Sequence, residues 1–262
     1  MKIIFKIILQ YYLKYLTKFI LFIYKPTIIA IAGSANKTFV RYEITRILNK
    51  NGIKTRTNNK SFNTEIGLPL AVLNLQSGYN SYKKWLSVIV KALFNIFSSN
   101  YPRVLVLELG ISNPGDMKYL LSIIKPDISI ITDITQRYLE SFNDMDIMAG
   151  EYELLIKKTK LSGLIILNND NARINKLLIP NLKNIITFGF KDGSDWRITN
   201  AVKTEYKQLI NINFSDHNLK VTKQYILERF GQHHVYSLTI GLIINHYLNE
   251  NNKAQLLPKK IH

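Results

Sequence analysis

The chain has 262 residues, and its 35 lysines and arginines against 18 aspartates and glutamates give a formal net charge of +17. Nearly half of the residues (47%) are hydrophobic, which suffices for the packed core of one large domain and excludes a disordered chain. Cysteine is absent, which excludes disulfides and thiolate metal sites, and the basic residues are scattered rather than gathered in a nucleic-acid-binding module, so no nucleic-acid partner is predicted.

The first predicted element is a basic amphipathic helix within residues 1–25. Polar residues recur at every fourth position of an otherwise largely apolar sequence, at Lys2, Lys6, Gln10, Lys14 and Lys18. On a helix these side chains form one polar stripe. The lysines disfavour a transmembrane span, and the lack of a small-residue cleavage site disfavours a secretory leader. Two interpretations stay open: the helix contacts an anionic membrane surface, or it packs on its own domain.

Residues 26–250 predict one α/β domain. Continuous apolar strands alternate with helical segments, which is typical of a mostly parallel sheet with helices on both faces. The predicted strands are Thr27–Ala32, Val104–Leu109, Ile128–Thr132, Gly163–Leu167 and Ile185–Phe190. The predicted helices between them are Lys37–Lys50, Tyr82–Phe97, Asp116–Ile124 and Asp144–Lys160.

The pattern changes after Trp196. Shorter alternating segments at Leu209–Phe214 and Leu219–Leu227 predict a small antiparallel β appendage. A last helix, His233–Leu248, follows, and residues 251–262 are a C-terminal tail. His233, His234 and His246 are interpreted as ordinary helix-surface histidines, since no carboxylate or cysteine completes a metal site with them.

The segment between the first strand and the first helix is a candidate phosphate-binding loop. It reads Gly33-Ser34-Ala35-Asn36-Lys37-Thr38, at a place where backbone N–H groups and a helix N-terminus can hold phosphate. Lys37 would reach the β- and γ-phosphates of a nucleotide, and Thr38 would hold Mg²⁺ through its hydroxyl. Asn36 stands where such loops normally have glycine, and asparagine is among the few residues that tolerate positive φ. On this loop alone, nucleotide binding and a plain strand-to-helix turn both stay open.

Five further segments follow the loop in order. They are Asn63-Thr64-Glu65-Ile66-Gly67-Leu68-Pro69, Leu107-Glu108-Leu109-Gly110, Tyr138-Leu139-Glu140-Ser141-Phe142, Ile166-Leu167-Asn168-Asn169-Asp170-Asn171 and Gly231-Gln232-His233-His234-Val235-Tyr236-Ser237. Together with the loop they resemble, in order and spacing, the central domain of the Mur ligases. Any one segment is a weak signal, but six in order are specific. Glu108 with Pro114-Gly115-Asp116 beyond it most resembles the branch that adds D-alanyl-D-alanine to the peptidoglycan precursor.

The resemblance implies an ATP-dependent ligase of cell-wall synthesis, with ATP and Mg²⁺ as cofactors and a UDP-MurNAc-peptide as substrate. It implies that Glu108 is a Mg²⁺ ligand together with Thr38, and that Asn63 and His234 lie at the nucleotide. The family also uses a carbamylated lysine. At that position the helix Asp144–Lys160 has Glu151 or Tyr152, depending on a one-residue gap, and the Glu151 carboxylate would take the place of the carbamate.

Several positions depart from the family pattern. Tyr138 stands where the family has a metal-binding histidine, Thr64 and Ser237 replace asparagines, and Asp133 replaces the asparagine at a strand end. Complete Mur ligases have a further domain on each side of the central one, and neither of these domains fits within this length. The sequence therefore predicts a ligase-like ATP-binding protein that is impaired alone or needs a partner supplying a C-terminal domain.

Two alternatives stay open: a non-catalytic nucleotide-binding or scaffold module at the membrane surface, or a decaying ligase fragment. The location predicted is cytoplasmic, and peripheral at the inner face of the membrane if the N-terminal helix binds lipid.

Overall fold

A computed structural model of the chain describes residues 3–58, 62–97, 100–136, 142, 144–177, 184–217 and 219–250. The strands are β1 Thr27–Ala32, β2 Thr55–Thr57, β3 Val104–Glu108, β4 Ile128–Ile131, β5 Leu164–Asn168, β6 Ile185–Gly189, β7 Trp196–Lys203, β8 Gln208–Asp216 and β9 Leu219–Leu227. The helices are α1 Ile3–Tyr24, α2 Lys37–Lys50, α3 Gly67–Leu73, α4 Tyr82–Phe94, α5 Asp116–Leu121, α6 Met145–Lys158, α7 Ala172–Lys176 and α8 Gln232–Glu250, with a 3₁₀ turn at Asn95–Phe97.

The strands form one mixed sheet in the order β2-β3-β1-β4-β5-β6-β7-β8-β9. The pairs from β2 to β7 are parallel, and β8 and β9 are added antiparallel. The predicted parallel sheet is confirmed. The antiparallel strands predicted as an appendage are also present, and they continue the main sheet because β7 pairs with β6 through Trp196 beside Phe188 and Arg197 beside Gly189.

The two faces of the sheet pack against different helices. Along β1, Ala30 and Ala32 belong to the cluster that includes residues of α5 and α6, while Ile29 and Ile31 belong to the cluster that includes residues of α2 and α8. This alternation follows from the two-residue period of a strand. Both faces of the central strands are buried, which explains why their sequences are apolar throughout rather than alternating.

Helix α1 packs on its own domain. Its buried side packs with residues of α3 and α4 in a third hydrophobic cluster, to which α1 contributes Leu9, Leu13, Leu16 and Ile20. The ammonium group of Lys6 lies 2.8 Å from the Glu65 carboxylate, and that of Lys14 donates a 2.7 Å hydrogen bond to the Ser122 hydroxyl. By length and composition alone, residues Ile4–Tyr24 could also cross a membrane. The contacts of its buried side show intramolecular packing, the second of the two interpretations left open by the sequence, while the opposite side of α1 is exposed.

Side-chain caps explain where several helices begin. The Asp144 carboxylate accepts a 2.8 Å hydrogen bond from the Asp146 N–H at the start of α6. The Asn171 amide oxygen accepts from Arg173 and Ile174 at the start of α7. Aspartate and asparagine are favoured at such positions because they satisfy N–H groups that the helix leaves free.

Candidate functional site

The predicted phosphate loop lies between β1 and α2, at the carboxyl edge of the parallel strands. It is joined to the segment that follows β4: the Ser34 N–H donates to the Asp133 carbonyl at 2.8 Å, and the Ser34 hydroxyl accepts from the Thr135 N–H at 2.7 Å. Gly33 has φ 138°, and a Cβ there would lie 2.2 Å from the Thr132 hydroxyl oxygen, so both conformation and space require glycine. The loop is thus held in a defined conformation.

Asn36 and Lys37 close this loop. Asn36 precedes α2 with φ 65°, the left-handed conformation that asparagine adopts more readily than most residues. The Lys37 ammonium group folds back over the loop and donates to the Gly33 carbonyl at 2.5 Å. A fixed positive charge therefore lies at the N-terminus of α2, where the helix dipole also favours an anion.

Glu108 ends β3 and is buried. The hydroxyl of Thr38 lies 3.3 Å from Glu108 Oε2, so the structure brings the two predicted Mg²⁺ ligands together. The other carboxylate oxygen, Oε1, accepts a 2.5 Å hydrogen bond from Arg41 Nε, and the Arg41 and Glu108 side chains are only 15% and 4% exposed. A guanidinium thus occupies the neighbourhood in which a metal ion was predicted.

Two residues of this site were missed by the sequence interpretation. Arg41 follows Lys37 and Thr38 at helical spacing, which was a usable signal because positions four and three residues apart share one face of a helix. Asn58 fixes the Glu108 backbone: its Oδ1 accepts from the Glu108 N–H at 2.6 Å, and its Nδ2 donates to the Glu108 carbonyl at 3.2 Å. Asn58 gave no local signal, since its role arises only when β2 pairs with β3.

Asn63 lies just beyond the same strand end. Its carbonyl accepts the Gly110 N–H at 2.9 Å, and a Cβ on Gly110 would lie 2.7 Å from the Asn63 side-chain amide. The structure therefore places Asn63 next to the Glu108 segment. A cavity of about 630 Å³ opens there, and its lining includes Gln10 of α1, Glu65 and Gly115.

A smaller cavity of about 370 Å³ opens beside the loop. It is lined by Asn36, Asp133, Asn168, Asp170, Asn171, Gln232, His233 and Tyr236. Burial raises the pKa of Asp133 above its usual value, and a hydrogen bond from Asn171 partly offsets this. The cavity is lined mostly by polar side chains, and it joins the ends of β4 and β5 to the start of α8.

Asp170 organises one wall of this smaller cavity. Its carboxylate accepts backbone N–H groups of Phe190 and Lys191 at 2.8 and 2.7 Å and the Tyr236 hydroxyl at 2.5 Å. Burial raises the pKa of Tyr236, and the hydrogen bond to Asp170 raises it further, so the phenol remains a proton donor at neutral pH. Asp170 is therefore held in place by the loop that follows β6 and by α8.

His234 is turned away from the smaller cavity. Its ring centroid lies 4.9 Å from that of Phe39 and 4.2 Å from that of His233, and His233 is the histidine that lines the cavity. Burial lowers the pKa of His234, and the neighbouring His233 lowers it further. In this structure His234 supports the aromatic group at the start of α2, and His233 takes the position facing the cavity.

Glu151 bonds to the backbone at the start of α5. Its two carboxylate oxygens accept the backbone N–H groups of Gly115 and Met117 at 2.8 Å each. A carboxylate at this position caps the first turn of α5 and interacts favourably with the helix dipole. The role in place of the carbamylated lysine stays a prediction for Glu151, whose two oxygens are directed to α5 in this structure. Tyr138 and the Leu139–Ser141 part of its motif lie outside the described residues, as does the tail 251–262.

The end of α8 carries a separate group of titratable side chains. His246 Nε2 lies 3.2 Å from Glu250 Oε1, and Asp216 joins them from the end of β8, with ligand-type atoms within 4.8 Å of one another. The sequence suggested that no carboxylate accompanies these histidines. That expectation was wrong for His246, because Glu250 follows it by one helical turn and the end of β8 brings Asp216 to the same place.

Residues 31–244 match the family model described as Mur ligase middle domain. A curated relative from Buchnera aphidicola subsp. Baizongia pistaciae, a UDP-N-acetylmuramoyl-tripeptide--D-alanyl-D-alanine ligase, is 26% identical over 84% of this chain and 43% of its own length. The ligase of the same name from Rickettsia prowazekii is 25% identical over 82% of this chain and 44% of its own length. The chain thus spans less than half the length of these relatives.

Solved structures show the same fold. MurF ligase from Thermotoga maritima in complex with ADP aligns with a TM-score of 0.71 at 21% identity, covering 90% of this chain and 49% of that one. MurF from Acinetobacter baumannii aligns with a TM-score of 0.71 at 17% identity, covering 94% of this chain and 48% of that one.

Proposed function

Because the chain belongs to the Mur ligase family and matches its middle domain over residues 31–244, we propose that it is the ATP-binding part of a ligase. The reaction would join D-alanyl-D-alanine to a UDP-MurNAc-peptide in peptidoglycan synthesis, on the cytoplasmic side of the membrane. The observation that carries the proposal is the loop Gly33–Thr38, held between a buried strand and a helix N-terminus with Lys37 across it. The ADP complex of the Thermotoga maritima structure supports the choice of nucleotide.

In this proposal each part of the site binds a different part of the substrates. The loop backbone and Lys37 hold the β- and γ-phosphates, and the cavity bounded by Asp133, Asp170 and His233 takes the ribose and the base. The larger cavity beyond Gly110 takes the peptide end of the second substrate. In the first step the γ-phosphoryl group would move from ATP to a substrate carboxylate, which releases ADP and leaves an acyl phosphate. The incoming amine would then displace phosphate to form the amide. Lys37 would stabilise the charge that develops during the first step, which is the main task of a protein in phosphoryl transfer. The substrate that supplies the incoming amine, D-alanyl-D-alanine, would be held by a further ligase domain, in this protein or in another.

Magnesium is expected at Thr38 and Glu108 from the family resemblance. The two donors do converge, but one Glu108 oxygen is held by Arg41 and the other lies within reach of the Thr38 hydroxyl. This arrangement does not fit a cation on Glu108, and no step of the proposed reaction runs through one there.

Calorimetric titration with ATP, ADP and AMP tests the proposal. ATP and ADP should bind at least about tenfold more tightly than AMP, because only they carry phosphates that reach Lys37 and the loop, and one charge-assisted contact contributes roughly 1.5–3 kcal/mol. Equal affinities for ATP and AMP would place binding in the smaller cavity alone. No heat at millimolar ATP would contradict nucleotide binding itself.

We propose contact with an anionic membrane surface as a second function, favoured by the solvent-facing sides of α1 and α4. These neighbouring helices expose large apolar side chains, including Ile4, Ile8, Tyr15 and Phe22 of α1 and Leu86 and Phe94 of α4. Exposed lysines accompany them at Lys18, Lys83, Lys84 and Lys91. Apolar side chains edged by basic residues suit the interface of an anionic bilayer.

Point substitutions are the appropriate test, because removing α1 would also uncover the core beneath it. Replacing Tyr15 and Phe22 together by serine should lower co-sedimentation with phosphatidylserine vesicles by roughly tenfold or more, since each buried aromatic ring contributes on the order of 1 kcal/mol or above. Leu161, which is 98% exposed and lies in the loop between α6 and β5, provides the matched control as Leu161→Ser. Unchanged co-sedimentation of the double variant would rule out this surface.

A further inference from the structure

We infer that Arg41 acts as a built-in cation at Glu108, in the place of a divalent metal ion, so that nucleotide binding in this chain does not depend on a metal at that carboxylate. The inference rests on the proposed nucleotide-binding function. It turns on Arg41, which the family resemblance did not single out, and it follows from the contacts of its guanidinium group.

The Arg41 guanidinium is held from three sides. Its Nε donates to Glu108 Oε1 at 2.5 Å, and one of its terminal nitrogens donates to the Thr57 hydroxyl at 2.8 Å and to the Asn58 carbonyl at 2.5 Å. Glu108 is held equally firmly, because Asn58 bonds its backbone on both sides. Both side chains are therefore oriented by β2 and β3 before any ligand binds.

Burial makes this pairing hard to exchange. A buried carboxylate needs a compensating charge and hydrogen bonds, and Arg41 supplies both. A divalent ion on Glu108 would either break the pair or bind through Oε2 alone, and in both cases the buried guanidinium would lie close to the new positive charge. Like charges at this distance in a low-dielectric site repel strongly. The Arg41–Glu108 pair thus excludes the ion while it neutralises the carboxylate.

A second arginine on the same helix shows the contrast. Arg46 pairs with Glu43 at i,i+3, but its side chain is 46% exposed and Glu43 lies on α2 itself rather than at the end of β3. That pair likewise joins an arginine to a largely buried glutamate, but it lies away from the phosphate loop and from the end of β3. Arg46 is therefore a matched control for Arg41.

The first experiment compares ATP affinity in excess MgCl₂ and in EDTA by calorimetry. Wild type should bind ATP with affinities that agree within about twofold in the two buffers, and Arg46→Met should behave in the same way. Arg41→Met removes the charge, keeps the aliphatic stem and frees Glu108, so its affinity should become roughly tenfold or more tighter with magnesium than without it, as for a gained metal ligand. The inference is overturned if wild type already shows a tenfold preference for magnesium, or if Arg41→Met shows none.

A second experiment uses Mn²⁺ alone, followed by electron paramagnetic resonance, and needs no nucleotide. Wild type should hold no Mn²⁺ at Glu108, whereas Arg41→Met should hold one ion that is lost when Glu108→Gln is added. If ATP fails to bind in every buffer, the proposed function fails, and the Mn²⁺ titration still decides the role of Arg41. If Arg41→Met does not fold, wild type decides it: an ion bound by wild type and lost in Glu108→Gln overturns the inference, and the absence of such an ion supports it.

Discussion

Replacing Lys37 by methionine is expected to weaken ATP binding by roughly 10- to 100-fold. The reason is that Lys37 places the ammonium charge across the loop, 2.5 Å from the Gly33 carbonyl, where the phosphates would lie. Loss of a hydrogen bond to a charged group costs roughly 1.5–3 kcal/mol, which corresponds to this range of affinity. Methionine retains the length of the side chain, so the measurement, calorimetric titration with ATP, reports mainly on the charge.

Lys50 provides the control for this prediction. It lies in the last turn of the same helix and is exposed, so Lys50→Met makes the same chemical change away from the loop. Thermal melts of both variants separate lost binding from lost folding. If Lys37→Met binds ATP as tightly as wild type, the nucleotide does not use the Gly33–Thr38 loop.

Replacing Leu13 by alanine is expected to lower the free energy of unfolding by about 2–5 kcal/mol, the usual cost of such a truncation in a packed core. Leu13 is fully buried in the cluster that α1 forms with α3 and α4, and the same cluster includes Leu70, Trp85 and Val88. Urea unfolding followed by circular dichroism measures the change. Because that cluster joins α1 to the domain, the loss should appear in the cooperative unfolding of the whole domain.

Ile8→Ala is the matched control, since Ile8 lies on the same helix but is 62% exposed. Its substitution should change the free energy of unfolding by no more than about 0.5 kcal/mol. Equal small effects of both substitutions would mean that α1 is detached from the domain in solution. In that case the packing of α1 would contribute nothing to the fold.

The order of the strands and helices could be predicted from the sequence because the evidence is local. Each central strand is a short apolar run, and each covering helix has a periodic apolar face, so the α/β class follows without any knowledge of contacts. The candidate phosphate loop was equally accessible, since Gly33, Asn36 and Lys37 lie within a few residues and between two recognisable elements. Ser81, Asp144 and Asn171 likewise begin helices through bonds to residues two or three positions away.

The contacts around Glu108 were decided by the tertiary structure. Arg41 is separated from Glu108 by 67 residues and Asn58 by 50, and they meet only because β2, β3 and α2 are assembled side by side. Glu151 shows the same limit, since its oxygens cap a helix 34 and 36 residues earlier in the chain. A carboxylate in a sequence carries no information about which cation or N–H group will approach it, because that depends on chain segments brought together by folding.

The sequence predicted that α1 forms an amphipathic helix, but it did not predict where that helix packs. Its four-residue polar spacing predicted an amphipathic helix, because that property belongs to the helix alone. Which face is buried depended on α3 and α4, which offer an apolar surface to Leu9, Leu13, Leu16 and Ile20. Helical periodicity reports which side chains share a face, whereas the partner of that face is set by the packing of the whole domain, and for this reason only the structure could place α1 on the protein.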